Sequence, residues 1–444
     1  MKLTLVKYQK QGIGNYKIFL NRTKQLVLLL TFVTIFFSCN NTQTNNSKDS
    51  KMNKITASDI LGNPEYLAIS YGGYRETTRD VQPTIPQLKN DIKILSAMGI
   101  KVLRTYNTQY AQASNLLQAI SEMKEENSEF EMYVMLGLWI DCENAWTGET
   151  LNHNAEDIEG NTSEIERGVA LAKKYPEIVK IIAVGNEAMV KWAESYYVQP
   201  VVILKWVNHL QNLKKEGKLN KDIWITSSDN FASWGGGDSI YHCKDLEKLI
   251  RAVDYVSLHT YPMHDTHYNP VFWGTLESEL HLTKSKAIDR IMNRAVLYAK
   301  KQYANSKKYV HSIDSTKELH IGETGWASVS SGHYGSNGSM ASDEYKEGVY
   351  YKKMREWTNE KAISCFYFEA FNEKWKVAES HSNSENHFGL MKINGHAKYA
   401  IWDYVKDGTL DGLTRNGRKI KMTYDGDIEA LLEDVELPKT KQLK

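Results

Sequence analysis

Several features that would suggest other classes of protein are missing from this sequence. The 444 residues include only four cysteines, at scattered positions, and these do not form a disulfide framework. Prolines are few, eight in all, and the composition is that of a globular protein. No GxGxxG or P-loop fingerprint follows an apolar run. A dinucleotide- or nucleotide-binding sheet is therefore not predicted.

Acidic residues are absent from the first 38 positions, which hold six Lys and Arg residues. Because the whole chain has a net charge of only +1, the remainder is mildly acidic. Proteins that bind nucleic acid through its phosphates present a basic surface. We therefore expect no nucleic acid partner.

The basic stretch leads into twelve mostly apolar residues at 26–37. This run is too short to span a bilayer comfortably and is typical of a signal peptide. Ser38-Cys39 follows and resembles a bacterial lipobox, in which the cysteine is lipidated, although Phe36 replaces the usual Leu. The alternatives are an ordinary signal peptide and a single membrane anchor. The pattern predicts a lipoprotein signal peptide over residues 1–38.

Residues 39–58 are polar and predict a flexible tether. If Cys39 carries lipid, the protein is anchored in the outer membrane of the bacterial cell envelope, on the periplasmic or the surface face. Nothing in the composition indicates a second subunit, and we expect a monomer.

Eight short runs rich in β-branched and aromatic residues predict strands. They are 66–72, 101–106, 133–140, 179–187, 223–229, 253–261, 319–326 and 363–371.

Segments with helical periodicity separate these runs. In the first of them, Leu88, Ile92, Leu95 and Met98 form one apolar stripe. Eight strands that alternate with helices predict an α/β fold, a (β/α)8 TIM barrel, over 59–408. The alternative is an open doubly wound sheet. The charged segment 409–444 predicts a C-terminal tail or a small appendage.

Two glutamates occupy equivalent positions in this pattern. Glu187 ends the fourth predicted strand and Glu323 lies at the end of the seventh. Strands four and seven are nearly opposite in a barrel, so side chains at their carboxyl ends can converge across its mouth. Two facing carboxylates are the groups that cleave a glycosidic bond. The pair therefore predicts a glycosidase, whereas either glutamate alone could be a solvated strand end.

"VGNEAM" at 184–189 and "IGETGW" at 321–326 resemble the two signatures of glycoside hydrolase family 17, the β-1,3-glucanases. "KVLRTYN", "LHTYPM", "FNEKWK" and "SENHFGLM" extend the resemblance, which covers about residues 66–405. The loops 141–161 and 262–282 depart from the plant members of the family.

The resemblance implies a retaining mechanism in which Glu187 is the acid/base and Glu323 is the nucleophile. It also implies that Asn186 binds the sugar 2-hydroxyl and that Tyr261 donates a hydrogen bond to the nucleophile. The remaining residues expected to bind substrate or support the pair are Arg104, Tyr106, Asn107, Trp326, Glu373, Trp375, Lys376 and Glu385.

Each of these supporting assignments has a simpler alternative. Trp326 and Trp375, and more weakly Trp139 and Trp234, are predicted to stack on sugar rings, but tryptophans also fill cores. The cluster formed by residues 373, 376 and 385 could equally be a solvated ion network.

The stretch "HTYPMHDTH" holds His259, His264, Asp265 and His267, a set that could bind a transition metal. No HExxH motif accompanies it, and a retaining glycosidase needs no metal. We therefore predict no metal site and no cofactor, and we expect His264 and His267 to line the substrate groove.

The family resemblance implies hydrolysis of β-1,3-glucosidic bonds in laminarin-type β-glucan, with endo action favoured. Its substrates would be β-1,3-glucan and laminari-oligosaccharides. One alternative is a β-1,3-glucanosyltransferase, which uses the same glutamates and passes the sugar to another sugar. The other is a glucan-binding lipoprotein without catalysis.

The anchor prediction is tested by the substitution Cys39→Ala. Loss of the thiol removes the atom that would carry lipid, so the variant should move from the detergent phase to the aqueous phase in a detergent partitioning assay. Unchanged partitioning would contradict lipidation at this residue.

Overall fold

The computed structural model describes residues 55–441, so the predicted signal peptide, most of the predicted tether and Cys39 lie outside the described residues. Eight parallel strands form a closed barrel, and each strand pairs with the next along the chain. They are β1 Leu67–Ser70, β2 Ile100–Arg104, β3 Tyr133–Leu138, β4 Val179–Asn186, β5 Trp224–Asn230, β6 Val256–His259, β7 Leu319–Gly325 and β8 Cys365–Phe368. Strand β8 closes the barrel on β1, where Ala68 aligns with Phe366. The predicted TIM barrel is confirmed.

Helices follow the strands and cover the outside of the barrel. They are α1 Ile85–Ala97, α2 Ala111–Glu126, α3 Ile158–Lys174, α4 Pro200–Lys215, α5 Lys244–Ala252, α6 Lys284–Ile313, α7 Glu344–Glu360 and α8 Trp402–Lys406. Helix α1 begins at a capping box formed by Thr84 and Gln87, with a proline in its first turn. Its predicted apolar stripe is buried because it packs on the strands.

The amino-terminal end of the barrel is closed by a short helix, Ala57–Ile60. Ala57 and Ile60 are fully buried in one apolar cluster with inward-facing strand residues such as Val102, Ile181 and Phe366. The predicted tether therefore extends too far, because the folded part already includes residues 57 and 58. Apolar contacts made within the barrel hold this segment in place.

The predicted C-terminal tail is a packed appendage as far as residue 441. It contains a two-stranded hairpin, Thr414–Arg415 with Arg418–Lys419, and a short helix, Ile428–Glu433. Leu410, Ile420 and Leu431 bury their side chains in the folded body. This burial ties the appendage to the barrel.

The loops at the carboxyl ends of the strands are the elaborated ones. A hairpin, Cys142–Glu143 with Asn152–Glu156, follows β3, and a helix, Pro262–Tyr268, follows β6. Long irregular segments follow β7 and β8. These loops surround the mouth at which barrel enzymes place their active sites.

Across residues 55–441, none of the helices combines the length and the apolar character that crossing a membrane requires.

A buried charge network joins the appendage to the barrel. Asp91, on α1, accepts hydrogen bonds from Tyr71 at 2.9 Å, from Arg75 at 2.9 Å and from Arg415 at 3.1 Å. The side chains of Asp91 and Arg415 have no exposed surface. Two guanidinium groups thus depend on one carboxylate, and removing that carboxylate would leave both without a counter-charge.

We expect Asp91→Ala to lower the free energy of unfolding by about 3–5 kcal/mol, the usual cost of breaking a buried ion pair. Urea denaturation measures the change. Lys89→Ala is the matched control, because Lys89 lies on the same helix and forms surface ion pairs with Glu122 and Glu126. Equal denaturation midpoints for the two variants would contradict the role given to Asp91.

Candidate active site

The turn that follows β4 places Glu187 at the mouth of the barrel. Gly185 has a φ of 79°, and an added Cβ there would lie 2.9 Å from the Cβ of Ala188. Glu187 itself has a φ of 47°, a left-handed conformation that is unfavourable for a non-glycine residue. Its backbone N–H donates to the Ser228 carbonyl of the next strand at 3.0 Å. Strain held by a well-bonded turn is typical of functional sites.

Glu323 lies within β7 and is almost fully buried. Arg104, at the end of β2, donates to its Oε1, and Tyr261 donates to its Oε2 at 2.7 Å. A second nitrogen of Arg104 donates to Oδ1 of Asn186 at 2.6 Å. The structure therefore brings together the predicted nucleophile, its predicted partner Tyr261 and two residues, Arg104 and Asn186, that were predicted to contact sugar.

His259 joins the two glutamates, a role that the sequence reasoning missed. Its Nδ1 shares a hydrogen bond with Glu187 Oε1 at 3.0 Å and lies 3.6 Å from Glu323 Oε2. Its Nε2 pairs with the Ser228 hydroxyl at 2.8 Å. The only available signal was its place at the end of a strand beside the predicted pair.

The distances to His259 bound the separation of the two carboxylates. Glu187 Oε1 and Glu323 Oε2 lie 3.0 Å and 3.6 Å from the same His259 nitrogen, so the distance between these two oxygens cannot exceed the sum of the two values. Retaining glycosidases hold their carboxyl groups about 5–5.5 Å apart, and inverting enzymes hold theirs about 6.5–9.5 Å apart. The short distance between the nearest oxygens is compatible with the first arrangement.

The two carboxyl groups have opposite electrostatic surroundings. Burial, followed by the charge of Glu323, holds the pKa of Glu187 well above its usual range. Burial would also raise the pKa of Glu323, but the neighbouring His259, the adjacent Arg104 charge and the Tyr261 hydroxyl outweigh it and lower that pKa. Burial lowers the pKa of His259 to about 3, so this imidazole is neutral. Because the two carboxyl pKa values shift in opposite directions, Glu187 keeps its proton to higher pH than Glu323 does.

Two buried acids near the pair also escaped the sequence reasoning. Burial raises the pKa of Glu369, just after β8, to about 8, although Lys376 pairs with it at 2.6 Å. Burial raises the pKa of Asp229, in β5, to about 6. Asp229 accepts a hydrogen bond from the Met189 N–H at 2.7 Å and so holds the chain that follows Glu187. Both acids lie in predicted strands, where no sequence pattern distinguishes an acid that belongs to the site from one that does not.

The predicted cluster after β8 exists with a different pairing. Lys376 contacts Glu369 rather than Glu373. Glu373 accepts hydrogen bonds from the Tyr74 N–H at 3.2 Å and from the Trp375 indole at 2.8 Å. Gly72 leaves space for this carboxylate, since an added Cβ would lie 2.3 Å from its Oε1. These groups form a buried network rather than a solvated one.

Glu385 lies half-buried in the same loop. Its charge contributes to the raised pKa values of Glu187 and Glu369, after burial and closer charges. Its position beside the predicted pair therefore has an electrostatic consequence.

The remaining predicted sugar contacts differ in exposure. Trp375 is half-buried, with the guanidinium of Arg79 over its ring at 4.4 Å. Tyr106 packs against the Arg104 guanidinium at 4.7 Å, and Asn107 is half-buried at the end of β2. These three residues lie on the same side of the barrel as the pair, and their contact with sugar stays a prediction.

The stacking role predicted for Trp326 is wrong. This side chain is fully buried, its indole donates to the Ala341 carbonyl at 2.8 Å, and its ring packs on Trp273 and Tyr350. Trp234 is also fully buried and donates to the Ser257 carbonyl at 3.0 Å. The loops fold back over both rings, a long-range effect that local sequence does not predict.

The histidines after β6 make aromatic contacts. His264 stacks on Tyr261 with ring centres 5.1 Å apart, and the exposed His267 stacks on His333 at 4.0 Å. Among residues 55–441, no three or more His, Cys, Asp or Glu side chains are grouped as metal ligands would be.

Comparisons with known proteins give the same class of enzyme as the two facing glutamates indicate. The sequence profile of the BtgE/BtgC glycoside hydrolase domain matches residues 68–389. The crystal structure of an endo-laminarinase from Formosa Hel1_33_131 is 62% identical, with a TM-score of 0.87, and the match covers 88% of this chain and 99% of that one.

More distant relatives share parts of the chain. A probable glucan endo-1,3-beta-glucosidase of Aspergillus flavus is 24% identical over 350 residues, which are 75% of this chain and 43% of that protein. The chain thus spans less than half the length of that relative. A Rhizomucor miehei beta-1,3-glucanosyltransferase solved with laminaritriose is 18% identical, with a TM-score of 0.51 and coverage of 76% and 96%, a likeness of fold alone.

The predicted family and the predicted glycoside hydrolase class are therefore confirmed. Because the profile spans the barrel from β1 to beyond β8, and because a protein with 62% identity matches over almost its whole length, this chain belongs to the BtgE/BtgC glycoside hydrolase family.

Proposed function

We propose that this protein hydrolyses internal β-1,3-glucosidic bonds of laminarin-type glucans and retains the anomeric configuration. The observation that carries the proposal is the buried pair of carboxyl groups on either side of His259, whose pKa values shift in opposite directions. The endo-laminarinase that is 62% identical supports the choice of substrate and of endo action.

In the first step, Glu187 donates its proton to the glycosidic oxygen and Glu323 attacks the anomeric carbon. The bond between that carbon and the departing sugar breaks, and a covalent glycosyl ester forms on Glu323. In the second step, ionised Glu187 takes a proton from water, the water oxygen attacks the same carbon, and the ester breaks. The opposite pKa shifts suit these two roles at one pH.

Arg104 and Asn186 connect the chemistry to the sugar. Since Oδ1 of Asn186 accepts from Arg104, the side-chain NH2 group of Asn186 is left to donate to the substrate. That contact would fix the orientation of the sugar 2-hydroxyl, a group whose hydrogen bonds assist the transition state. Tyr261 keeps the attacking carboxylate oriented.

We also propose that lipid on Cys39 anchors the enzyme at a bacterial cell envelope. The basic stretch, the short apolar run and the Ser38-Cys39 sequence support this placement. A lipid tether would keep an extracellular glucan and its products near the cell that releases them.

Azide distinguishes the roles of the two glutamates. Glu187→Ala and Glu323→Ala should each reduce turnover of a laminari-oligosaccharide by at least about 10²–10⁴-fold. With a β-laminarioligosyl fluoride as substrate, azide should enter the space left by Glu323 and yield an α-glycosyl azide. In the Glu187 variant, azide should attack the covalent intermediate from the other face and yield a β-glycosyl azide.

Proton NMR of the anomeric position measures these configurations. Swapped configurations would reverse the assignment of acid and nucleophile. An α-configured first product from the unsubstituted enzyme would contradict retention. With a laminari-oligosaccharide as substrate, products longer than the starting oligosaccharide would contradict hydrolysis, because elongation requires transfer.

The Tyr261 hydroxyl should set the acidic limit of activity. Glu323 must be ionised to attack, and Tyr261 stabilises its ionised form. Tyr261→Phe should therefore raise the pKa of Glu323 and move the acidic limb of the pH profile of kcat/KM to higher pH.

Tyr350→Phe is the matched control, because its buried hydroxyl bonds the Thr324 hydroxyl at 2.7 Å and makes no contact with Glu323. Its acidic limb should stay in place. A Tyr261 variant whose acidic limb coincides with that of the unsubstituted enzyme would contradict the role given to this hydroxyl.

A further inference from the structure

An exposed tryptophan lies on the Glu187 side of the site. Trp146 lies in the turn of the hairpin after β3, and 65% of its surface is exposed. Its φ is 66°, and that of Asn144 is 67°. A left-handed conformation is a clear outlier for a bulky residue. An exposed aromatic ring on a strained turn has no evident role in stabilising the fold, which points to a ligand.

The ring of Trp146 is fixed in orientation. Its indole N–H donates to Asp141 Oδ1 at 3.1 Å, and the indole of Trp139 donates to the same oxygen at 2.7 Å. One face of Trp146 stacks on Tyr196, with ring centres 5.7 Å apart and an angle of 25°. Trp139 also packs on Tyr196, at 5.0 Å. The shared carboxylate and the stacked tyrosine thus form a rigid support.

This support is joined to the chain that follows Glu187. The Cys142 N–H donates to the Tyr196 carbonyl at 3.1 Å, and His153 Nδ1 donates to the Tyr197 carbonyl at 2.8 Å. The Val198 N–H, two residues beyond Tyr196, donates to the carbonyl of Ala188, the neighbour of Glu187, at 2.7 Å. Tyr196 therefore lies on the Glu187 side of the site.

We propose that Trp146, backed by Tyr196, is a stacking platform for a glucosyl unit on the leaving-group side of the scissile bond. The inference rests on the proposed function. An acid must face the glycosidic oxygen, so the sugar that departs with that oxygen lies on the Glu187 side. The apolar face of a glucose ring packs on an indole, and one exposed face of Trp146 is free of ring partners among the described residues.

Two substrates that differ on the leaving-group side distinguish sugar stacking on Trp146 from the bond-breaking step. A laminarihexaose places sugars on the leaving-group side, whereas a β-laminaritriosyl fluoride places only fluoride there. We expect Trp146→Ala to lower kcat/KM for the hexaose about two- to tenfold, the range for loss of one stacking contact. For the fluoride, kcat/KM should stay within about twofold of the parent value.

Trp192→Ala is the matched control, because Trp192 is 59% exposed on the loop after β4. Trp192 has no ring contact with Tyr196 among those of residues 55–441. This variant should leave both substrates unchanged, and Trp146→Phe should recover part of the hexaose activity.

The outcomes separate the two hypotheses. An unchanged hexaose value in Trp146→Ala, an equal loss with the fluoride, or the same loss in Trp192→Ala would overturn the platform while leaving the proposed hydrolase intact. Absence of fluoride release from the unsubstituted, folded protein would overturn the proposed hydrolase, and the platform with it.

Discussion

The Arg104 guanidinium is fully buried at the carboxyl end of β2, and its two terminal nitrogens serve both sides of the site. One nitrogen donates to Glu323 and the other to Asn186, the neighbour of Glu187. A carboxylate buried without a positive partner would become protonated, because desolvation opposes its charge. This guanidinium, together with His259 and Tyr261, therefore favours the ionised form of Glu323, and it also orients the amide beside Glu187.

The same enclosed space gives the two glutamates different states. Arg104 and Tyr261 stabilise charge on Glu323, while Glu187 faces that charge and a neutral imidazole. Once Glu323 is ionised, repulsion adds to burial and keeps the proton on Glu187. The pKa values of two like groups thus shift in opposite directions, as general acid and nucleophilic chemistry at one pH require.

Further buried charges hold the loops and the appendage around this pair. Lys376 pairs with Glu369 beneath the loop after β8, and Lys398 pairs with Glu347 at 3.0 Å with neither side chain exposed. Removal of one partner from such a pair is strongly destabilising, so these contacts restrict how the segments can rearrange. Glu187 and Glu323 lie at the carboxyl ends of their strands, and the paired charges hold the surrounding segments in fixed positions around them.

The barrel and the two facing glutamates could be predicted from the residues alone. Strand-length runs of β-branched and aromatic residues alternate with helical stripes, and Glu187 and Glu323 follow directly from their places in that pattern. Positions at strand ends and the family resemblance also indicated Arg104, Asn186 and Tyr261. The structure brings all three side chains to the two glutamates.

Contacts between side chains that are far apart in the chain became known only from the folded structure. His259 reaches both glutamates, Lys376 selects Glu369 instead of Glu373, and Trp326 is covered by its own loop. Residue 57 is buried because the short helix closes the barrel, although its composition resembles that of a tether. Burial and pairing of this kind arise from contacts between distant segments, and no local pattern of residue types encodes them.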